Sequence, residues 1–446
     1  MGSMMRAIAI VSALWGCLAV TRRTASVPDP DGSVSIPQTP RNCIAWSPAE
    51  PILTADRRPV YVESPSSVRL TSGVALFGYP AFVWATPTSP WRTDSGFQPR
   101  IGMGAVFERD GRVTPIMPPG PLTERPSDVL ATSDARGGAQ VFWSEVPRES
   151  NTPSTVAKKI ISARFSNDGW STPEEVLSAD IIYWNRVSAA VVAIHGETHM
   201  VVSGSRARAE GSGGGIAHVH GAPGQWATTW INTGSLPPAY VAFHAQEGGP
   251  WIVAFIGAVE NRSLKVNNGA FVAVSRDDGR TWGDIALVRD FGRDVAQRVQ
   301  LVSTPDGAVH LLWGIRAPNG QGTTRVEHRV SRDGTVWQRK TEFTAASTRG
   351  GFQGAVSPSG TMFVAFRQPD SLQVRTSEWD GNTWISGIAL GDGGAATEPR
   401  TVEFKKDSLY LVWARSLPGP TVNGQQTGNT PVSWWARQVS DCVRQR

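Results

Sequence analysis

Long helical heptads, runs of lysine and arginine, and the short motifs of the common enzyme classes are all missing from this chain. Without heptads there is no long amphipathic helix to build on. The net charge is only +5 over 446 residues and no basic run stands out, so the electrostatic footprint of a nucleic-acid binder is absent. No P-loop, G-x-S-x-G, H-E-x-x-H or EF-hand loop is present, which removes the chemistry those sequences carry. Cysteine is down to three residues and tyrosine to five. The histidines, 195, 199, 218, 220, 244, 310 and 328, are spread over strand-like segments. His218-Val219-His220 puts two imidazoles on one strand face, but no carboxylate or cysteine completes a ligand set. No metal and no cofactor are therefore expected.

What is plentiful is turn chemistry. The 46 glycines and 32 prolines, with 40% hydrophobic and 18% charged residues, describe a globular chain that reverses direction often. Its length is ample for a large core.

The N-terminus reads as an export signal over residues 1–20. Arg6 precedes the apolar run Ala7 to Val20, and Arg22 and Arg23 follow it. The run is too short for a spanning helix. Leu14-Trp15-Gly16-Cys17 is also similar to a bacterial lipobox, in which Cys17 carries a lipid anchor; plain secretion is the alternative. Residues 21–42 are rich in Pro, Ser, Thr and Asp and read as a flexible linker. The expected location is extracellular or in the cell envelope, with membrane contact only through a lipid on Cys17.

The organising stretch is Ser275-Arg276-Asp277-Asp278-Gly279-Arg280-Thr281-Trp282. It reads as a tight turn between strands at Ala270–Val274 and Ile285–Val288. Short Ser and Asp side chains can bond the turn's own amides, Gly279 supplies a positive φ, and Trp282 brings a large apolar face. Looser copies recur. Ser331-Arg332-Asp333-Gly334-Thr335-Val336-Trp337 is one residue shorter, and Ser377 to Trp384 moves its acid, Asp380, next to Gly381. Ser166-Asn167-Asp168-Gly169-Trp170-Ser171 is degenerate. The starts at 275, 331 and 377 are 56 and 46 residues apart. A period of about 50 residues holding a few short strands is that of propeller blades. The turn resembles the Asp-box of the sialidase-like β-propellers, with Ser275, Asp277, Gly279, Thr281, Trp282, Asp333, Trp337, Asp380 and Trp384 as its structural residues.

The resulting expectation is an all-β chain with one closed propeller over residues 43–446. Seven four-stranded units fit better than six. Second strands align at Ala81–Trp84, Gln140–Trp143, His199–Val202, Trp251–Phe255, Val309–Trp313, Met362–Phe366 and Leu409–Trp413, near-continuous apolar runs of strands buried on both faces. The last unit stops after a third strand at Val432–Gln438. Trp46-Ser47-Pro48-Ala49-Glu50-Pro51-Ile52-Leu53-Thr54-Ala55-Asp56 matches Trp170 to Asp180, the outer strand of an internal unit. The N-terminal segment should therefore complete the last blade, and closure removes exposed edges. Cys43 and Cys442 flank the broken turn of that blade, where a disulfide would staple it in an oxidising compartment. Two thiols near each other by chance is the alternative.

Ligands of such propellers usually meet the loop face opposite the Asp-boxes. The loops expected there are long and polar: Ala85–Pro99, Glu145–Thr155, Gly204–Gly215, Gly257–Asn268, Arg316–Thr324 and Arg415–Thr430. Arg186, Arg298 and Arg400 each precede an inner strand, and Arg206, Arg316, Arg367 and Arg415 each follow a second strand. Guanidinium groups there could grip carboxylate, sulfate or phosphate, or simply pair with neighbouring acids and carbonyls. The resemblance to catalytic sialidases implies three arginines on a substrate carboxylate, a Tyr–Glu nucleophile pair and an Asp acid/base. The F/Y-R-I-P motif of those enzymes is missing, and Arg57-Arg58-Pro59 and Arg100-Ile101 are poor substitutes. The nearest catalytic grouping is Tyr240 with Glu260 and Arg262. The expected function is binding of a glycan or an extracellular protein on the loop face by a monomer, without sialidase catalysis. The alternative is a glycoside hydrolase of exo-sialidase type, or a polysaccharide lyase, acting on an acidic glycan.

Overall fold

The computed structural model describes residues 44–446 apart from 52, 55–71, 77–78, 87–99, 107–111, 117–124, 134–137, 147–158, 167, 178–180, 183–188, 195, 207–212, 235, 262–263, 317–323, 346–350, 369–370, 372, 391–398, 405–407, 419–420, 423–424, 427–428 and 441–446. The segments expected to be an export signal (1–20) and a linker (21–42) lie outside the described residues, as do Cys17, Cys43 and Cys442.

The fold is an all-β propeller. Among the described residues the strands form seven sheets of four or five strands and one short ribbon, Thr421–Val422 with Gln425–Gln426. The first sheet holds Leu53–Thr54, Ser72–Leu76, Tyr79–Thr86, Arg100–Val106 and Arg112–Ile116. The second runs from Arg125–Ser133 to Glu174–Leu177, the third from Ile181–Ile182 to Gln225–Gly234, and the fourth from Tyr240–His244 to Ala286–Asp290. The fifth runs from Val295–Ser303 to Phe343–Ala345 and the sixth from Phe352–Val356 to Trp384–Leu390. The seventh joins Arg400–Phe404, Ser408–Pro418 and Asn429–Ser440 to Ala45–Trp46 and Glu50–Pro51. All seven apolar segments singled out as second strands lie inside strands of these sheets.

Their composition follows from what covers them. Along Val309–Arg316, Val309, Leu311, Trp313 and Ile315 pack toward the fourth sheet, while Leu312 packs toward the sixth. Alternation sends successive side chains to opposite faces, and both faces are dry, so the strand is apolar throughout. The pattern repeats from the second sheet to the seventh: each interface is its own core cluster. The innermost strands also touch in series. Ser72–Leu76 contacts Arg125–Ser133, and contacts continue through Ala189–Ile194, Tyr240–His244, Val295–Ser303, Phe352–Val356 and Arg400–Phe404, which contacts Ser72–Leu76 again.

The seventh sheet is made from both ends of the chain. Ala45 and Trp46 pair with Ser440 and Gln438, and Glu50 and Pro51 with Trp435 and Trp434. The match between Trp46–Glu50 and Trp170–Glu174 extends to the backbone: Trp170 pairs with Phe165 and Glu174 with Ser162, with the same three-residue break between. Ile44 is buried in the core between sixth and seventh sheets, and its N–H donates to the buried Glu378 carboxylate at 3.0 Å. Expectation and structure part at Leu53–Thr54, which pairs in parallel with Arg112–Val113 of the first sheet. Pro48 and Pro51 have no N–H to give to a ladder, and after the second of them the segment changes sheets. The strand after the turn at 275–282 also begins later than expected, at Ala286. Broken edge strands account for most fifth members; Gln338–Arg339 and Phe343–Ala345, for instance, both pair with Thr324–Ser331.

The turns close as their side chains dictate. Ser275 Oγ accepts from Gly279 N at 2.9 Å and donates to Asp277 Oδ1 at 2.7 Å. Asp277 also accepts from Thr281 N and Oγ1, which holds its carboxyl low, at about 2. Ser331, Asp333 and Thr335 repeat the arrangement. In the third copy Asp380 takes the amides of Asn382 and Thr383, both at 2.7 Å. Asp278 stands at φ 57 beside Gly279 at φ 79, so two successive left-handed residues make the turn. A Cβ on Gly279 would come within 2.4 Å of the His218 ring in the preceding sheet. The turn tryptophans pack backwards in the same way: Trp282 onto the core between third and fourth sheets, Trp337 and Trp384 onto the next two.

Candidate functional site

The second strands of the fifth, sixth and seventh sheets each carry an arginine at the end away from the turns. Arg316 pairs with Val295, Arg367 with Val374, and Arg415 with Val432. Alternation fixes the cleft each one faces. Arg316 shares a face with Leu312 and Gly314, which turn toward the sixth sheet. Arg375, opposite Phe366, lies on the sixth sheet's face toward the fifth. Arg367 shares the face of Phe363 and Ala365, and Arg415 that of Leu411 and Trp413, so those two border the cleft between the sixth and seventh sheets. All four are half-buried.

Arg298 is the most constrained. It sits in the innermost strand of the fifth sheet, where the ladder slips between Gln297 and Val299, and has φ 50. A bulge re-aims one side chain, and a non-glycine residue in the left-handed region costs about 1–3 kcal/mol, a strain that clusters at functional sites. The guanidinium crosses to the sixth sheet and donates to Phe352 O at 3.0 Å. Gln300 on the same strand donates to that carbonyl and accepts from Gly354 N at 2.5 Å. The two side chains thus tie neighbouring innermost strands together and bring a cation to the mouth of their cleft.

The other expected residues divide. Arg186 and Arg262 lie outside the described residues; Arg400 pairs with Val412 through its backbone, and its side chain is outside them. Tyr240 opens the innermost strand of the fourth sheet and packs on the core toward the fifth. Glu260 ends the second strand of that sheet, exposed and paired with Lys265 Nζ at 2.8 Å. That hydrogen bond and charge lower its pKa, which suits an ionised surface carboxylate. Tyr240 and Glu260 therefore take different partners. Arg375 was missed because only residues flanking inner and second strands were considered; its signal was its position opposite Phe366 on a third strand.

Four histidines, His199, His218, His310 and His328, meet in pairs at the turn ends of the third and fifth sheets, whereas His244 lies in the fourth and His195 outside the described residues. His199 Nδ1 lies 3.3 Å from His218 Nε2, and His218 Nδ1 is 3.1 Å from Gly279 O. His310 Nδ1 lies 2.8 Å from His328 Nε2. The pairs occupy equivalent positions, each under tryptophans of the next sheet: Trp251 and Trp282 over His218, Trp379 and Trp384 over His328. Burial pushes His218 down to about 3, His310 to about 4 and His328 to about 2. They are neutral core residues. Among the described residues no group of three or more His, Cys, Asp or Glu is arranged to hold a metal ion.

No protein-family model and no curated protein matches the chain. Solved structures do. An ulvan lyase of a new polysaccharide lyase family, bound to a GlcA-containing saccharide, aligns with TM-score 0.50 and 10% identity over 84% of this chain and 95% of that one. An α-L-arabinofuranosidase from Fusarium graminearum aligns at 0.44 and 15% over 70% and 94%. A leech intramolecular trans-sialidase aligns at 0.46 and 10% over 87% and 71%. What this chain shares with the ulvan lyase is the fold.

Proposed function

We propose that this protein is an exported glycan-binding β-propeller whose ligand meets the face opposite the Asp-box turns. The observation that carries the reading is Arg298, a cation held at the cleft mouth by a left-handed bulge in an innermost strand. Strain of that kind persists where something other than stability requires it. The seven sheets are read as the blades of one closed ring, supported by the serial contacts of the innermost strands and by the chain ends sharing the seventh sheet. A Cys43–Cys442 disulfide would staple that sheet, and the neighbouring register of Ala45 opposite Ser440 supports it. A second reading, an enzyme acting on an acidic glycan, draws on the fold likeness to the ulvan lyase. A glycan array probed with the purified protein, run beside a panel of chromogenic glycosides and a lyase assay that follows the ultraviolet absorbance of unsaturated products, separates the readings. Array binding without turnover supports the first. Turnover supports the second, and neither signal removes both.

A further inference from the structure

A carboxylate is buried on the flank between the fourth and fifth sheets without closing onto its cation. Glu327 lies opposite Trp313, and Arg329 opposite Leu311, on the third strand of the fifth sheet. Both therefore turn toward the fourth sheet, where Trp313 and Leu311 pack. Arg289 reaches them from the outermost strand of the fourth sheet. The Glu327 side chain is only 2% exposed, yet Arg289 Nη2 stands 3.7 Å from its Oε1, outside hydrogen-bonding range. Its Oε2 has no hydrogen-bond partner, and neither have the buried Nε atoms of Arg289 and Arg329. Exposed pairs on the same protein do close: Lys265 on Glu260 at 2.8 Å and Arg332 on Asp306 at 3.0 Å. Burial should favour closure more, because a dry charge gains most from a bond. Arg329 is drawn to one side by Trp313, whose ring centroid lies 5.8 Å from the guanidinium carbon. Burial lowers the Arg329 pKa, as do Arg339 and Arg289, against Glu327 and Glu342, so these groups share one electrostatic environment. Arg298 and Arg316, by contrast, turn toward the sixth sheet.

We propose that this open cluster is a carbohydrate site, which takes vicinal hydroxyls of a sugar ring between Glu327 and the two arginines. The cluster offers one acceptor flanked by two donors. A hydroxyl both donates and accepts, so one O–H can donate to Glu327 Oε2 while its oxygen accepts from Arg329, and the neighbouring hydroxyl can accept from Arg289. A carboxylate ligand has no proton to give Glu327 and is repelled by it; an ammonium meets two guanidiniums. An uncharged polyol fits where either ion does not, and a sugar holds its hydroxyls fixed on a rigid ring. Arg289, 35% exposed, is the cover: turning it outward uncovers the carboxylate. The inference goes beyond the loop-face reading and does not rest on it.

The test uses the full-length protein and saturation-transfer NMR. The probes are the methyl pyranosides of mannose, galactose and glucose, and the per-O-methyl ether of each, which accepts hydrogen bonds but donates none. At least one native sugar is expected to bind with a dissociation constant of about 1–10 mM, and its ether at least about tenfold more weakly. Hydrogen exchange on the wild type needs no variant: the bound sugar should slow the amides of Ala286–Asp290 and Thr324–Ser331. Glu327→Gln and Arg289→Met are each expected to weaken that sugar at least about tenfold. The melting temperature shows which variants are folded, and Arg289→Met, at a partly exposed position, decides the matter if Glu327→Gln does not fold. Equal binding of sugar and ether would overturn the hydroxyl reading. Protection confined to other strands, or unchanged binding by the folded variants, would put the sugar elsewhere and overturn the site. If no native sugar binds up to about 50 mM, the cluster is an ion pair bridged by water only, and the proposal falls.

Discussion

Acid should loosen this propeller well above the pH at which carboxylates protonate. His218, His310 and His328 are buried and neutral, with pKa values pushed down to about 3, 4 and 2. In the unfolded chain each returns to about 6.5. Because the folded values are depressed, the unfolded chain takes up protons that the folded one refuses once pH drops below 6.5. Stability is therefore unaffected above that value and falls steadily between about pH 6.5 and 4. From pH 7.5 to 5 each histidine contributes a loss of about 2 kcal/mol, so the three together approach ~6 kcal/mol, a large part of an ordinary folding free energy. The facing groups do not reverse this. His199 and His220 add repulsion to His218, His310 adds it to His328, and Lys340 opposes charging of His310 and His328; Asp306, beside His310, and the Gly279 carbonyl, bonded to His218, favour the charged form but are outweighed by burial. Asp277, held at about 2, contributes its own loss only as pH falls below the ordinary carboxylate range. Guanidinium chloride unfolding at pH 7.5, 6.5, 5.5 and 5.0, followed by tryptophan fluorescence, reads the slope. About 4 kcal/mol per pH unit is expected near pH 5, the equivalent of three protons. His328→Leu should remove about a third of it. A slope of one proton or less, about 1.4 kcal/mol per unit, would refute the buried neutral pairs.

Three further outcomes follow from the packing. Gly279→Ala, at φ 79 and 2.4 Å from the His218 ring, should cost about 2–4 kcal/mol. Gly224→Ala, with similar φ but nothing within 4 Å, should cost only about 1–2; equal melting temperatures for the two variants would remove the role given to the close approach. Glu378→Leu strips the acceptor from Ile44 N and should destabilise by about 1–3 kcal/mol, with faster amide exchange at residues 44–46 as the local signature. Non-reducing peptide mapping should recover Cys43 linked to Cys442; in the chain-entropy model that bond is worth roughly 5 kcal/mol, and free thiols at both positions would exclude it.

The fold was legible because its signals are local and repeated. Ser275 to Trp282 states a turn in its own residues, and the apolar second strands state two-sided burial. The two-ended seventh sheet was legible from a single match, Trp46–Glu50 against Trp170–Glu174, because the broken edge strand needs the same residue types in both places. What failed was continuation past Pro51. Neither the parallel pairing of Leu53–Thr54 nor the left-handed Arg298 has a sequence signal, since both depend on which neighbour the backbone happens to meet. The site was less legible than the fold for a related reason. Arginines can be counted in a sequence, but the cleft each one faces is set by strand alternation and register. Arg375 and Arg316 share a cleft although they come from different strand positions, whereas Arg316 and Arg367, matched in position, face different ones. The histidine pairs were hidden likewise, as His310 and His328 are 18 residues apart and meet only across a strand pair.

Strands synthesised first and last share one sheet, and this sets an order of events. Ala45 and Trp46 leave the ribosome long before the partners they need, Gln438 and Ser440. Through synthesis the first segment can only wait, its apolar Ile44 without the core that will bury it. The internal sheets, each a local meander, can form as they emerge, whereas the seventh requires closing a loop of nearly the whole chain, the kind of long-range pairing that slows folding. The final step should therefore be the capture of the leading segment by the trailing strand. Until Gln438 and Ser440 have emerged, the seventh sheet stays unfinished, open and pliable.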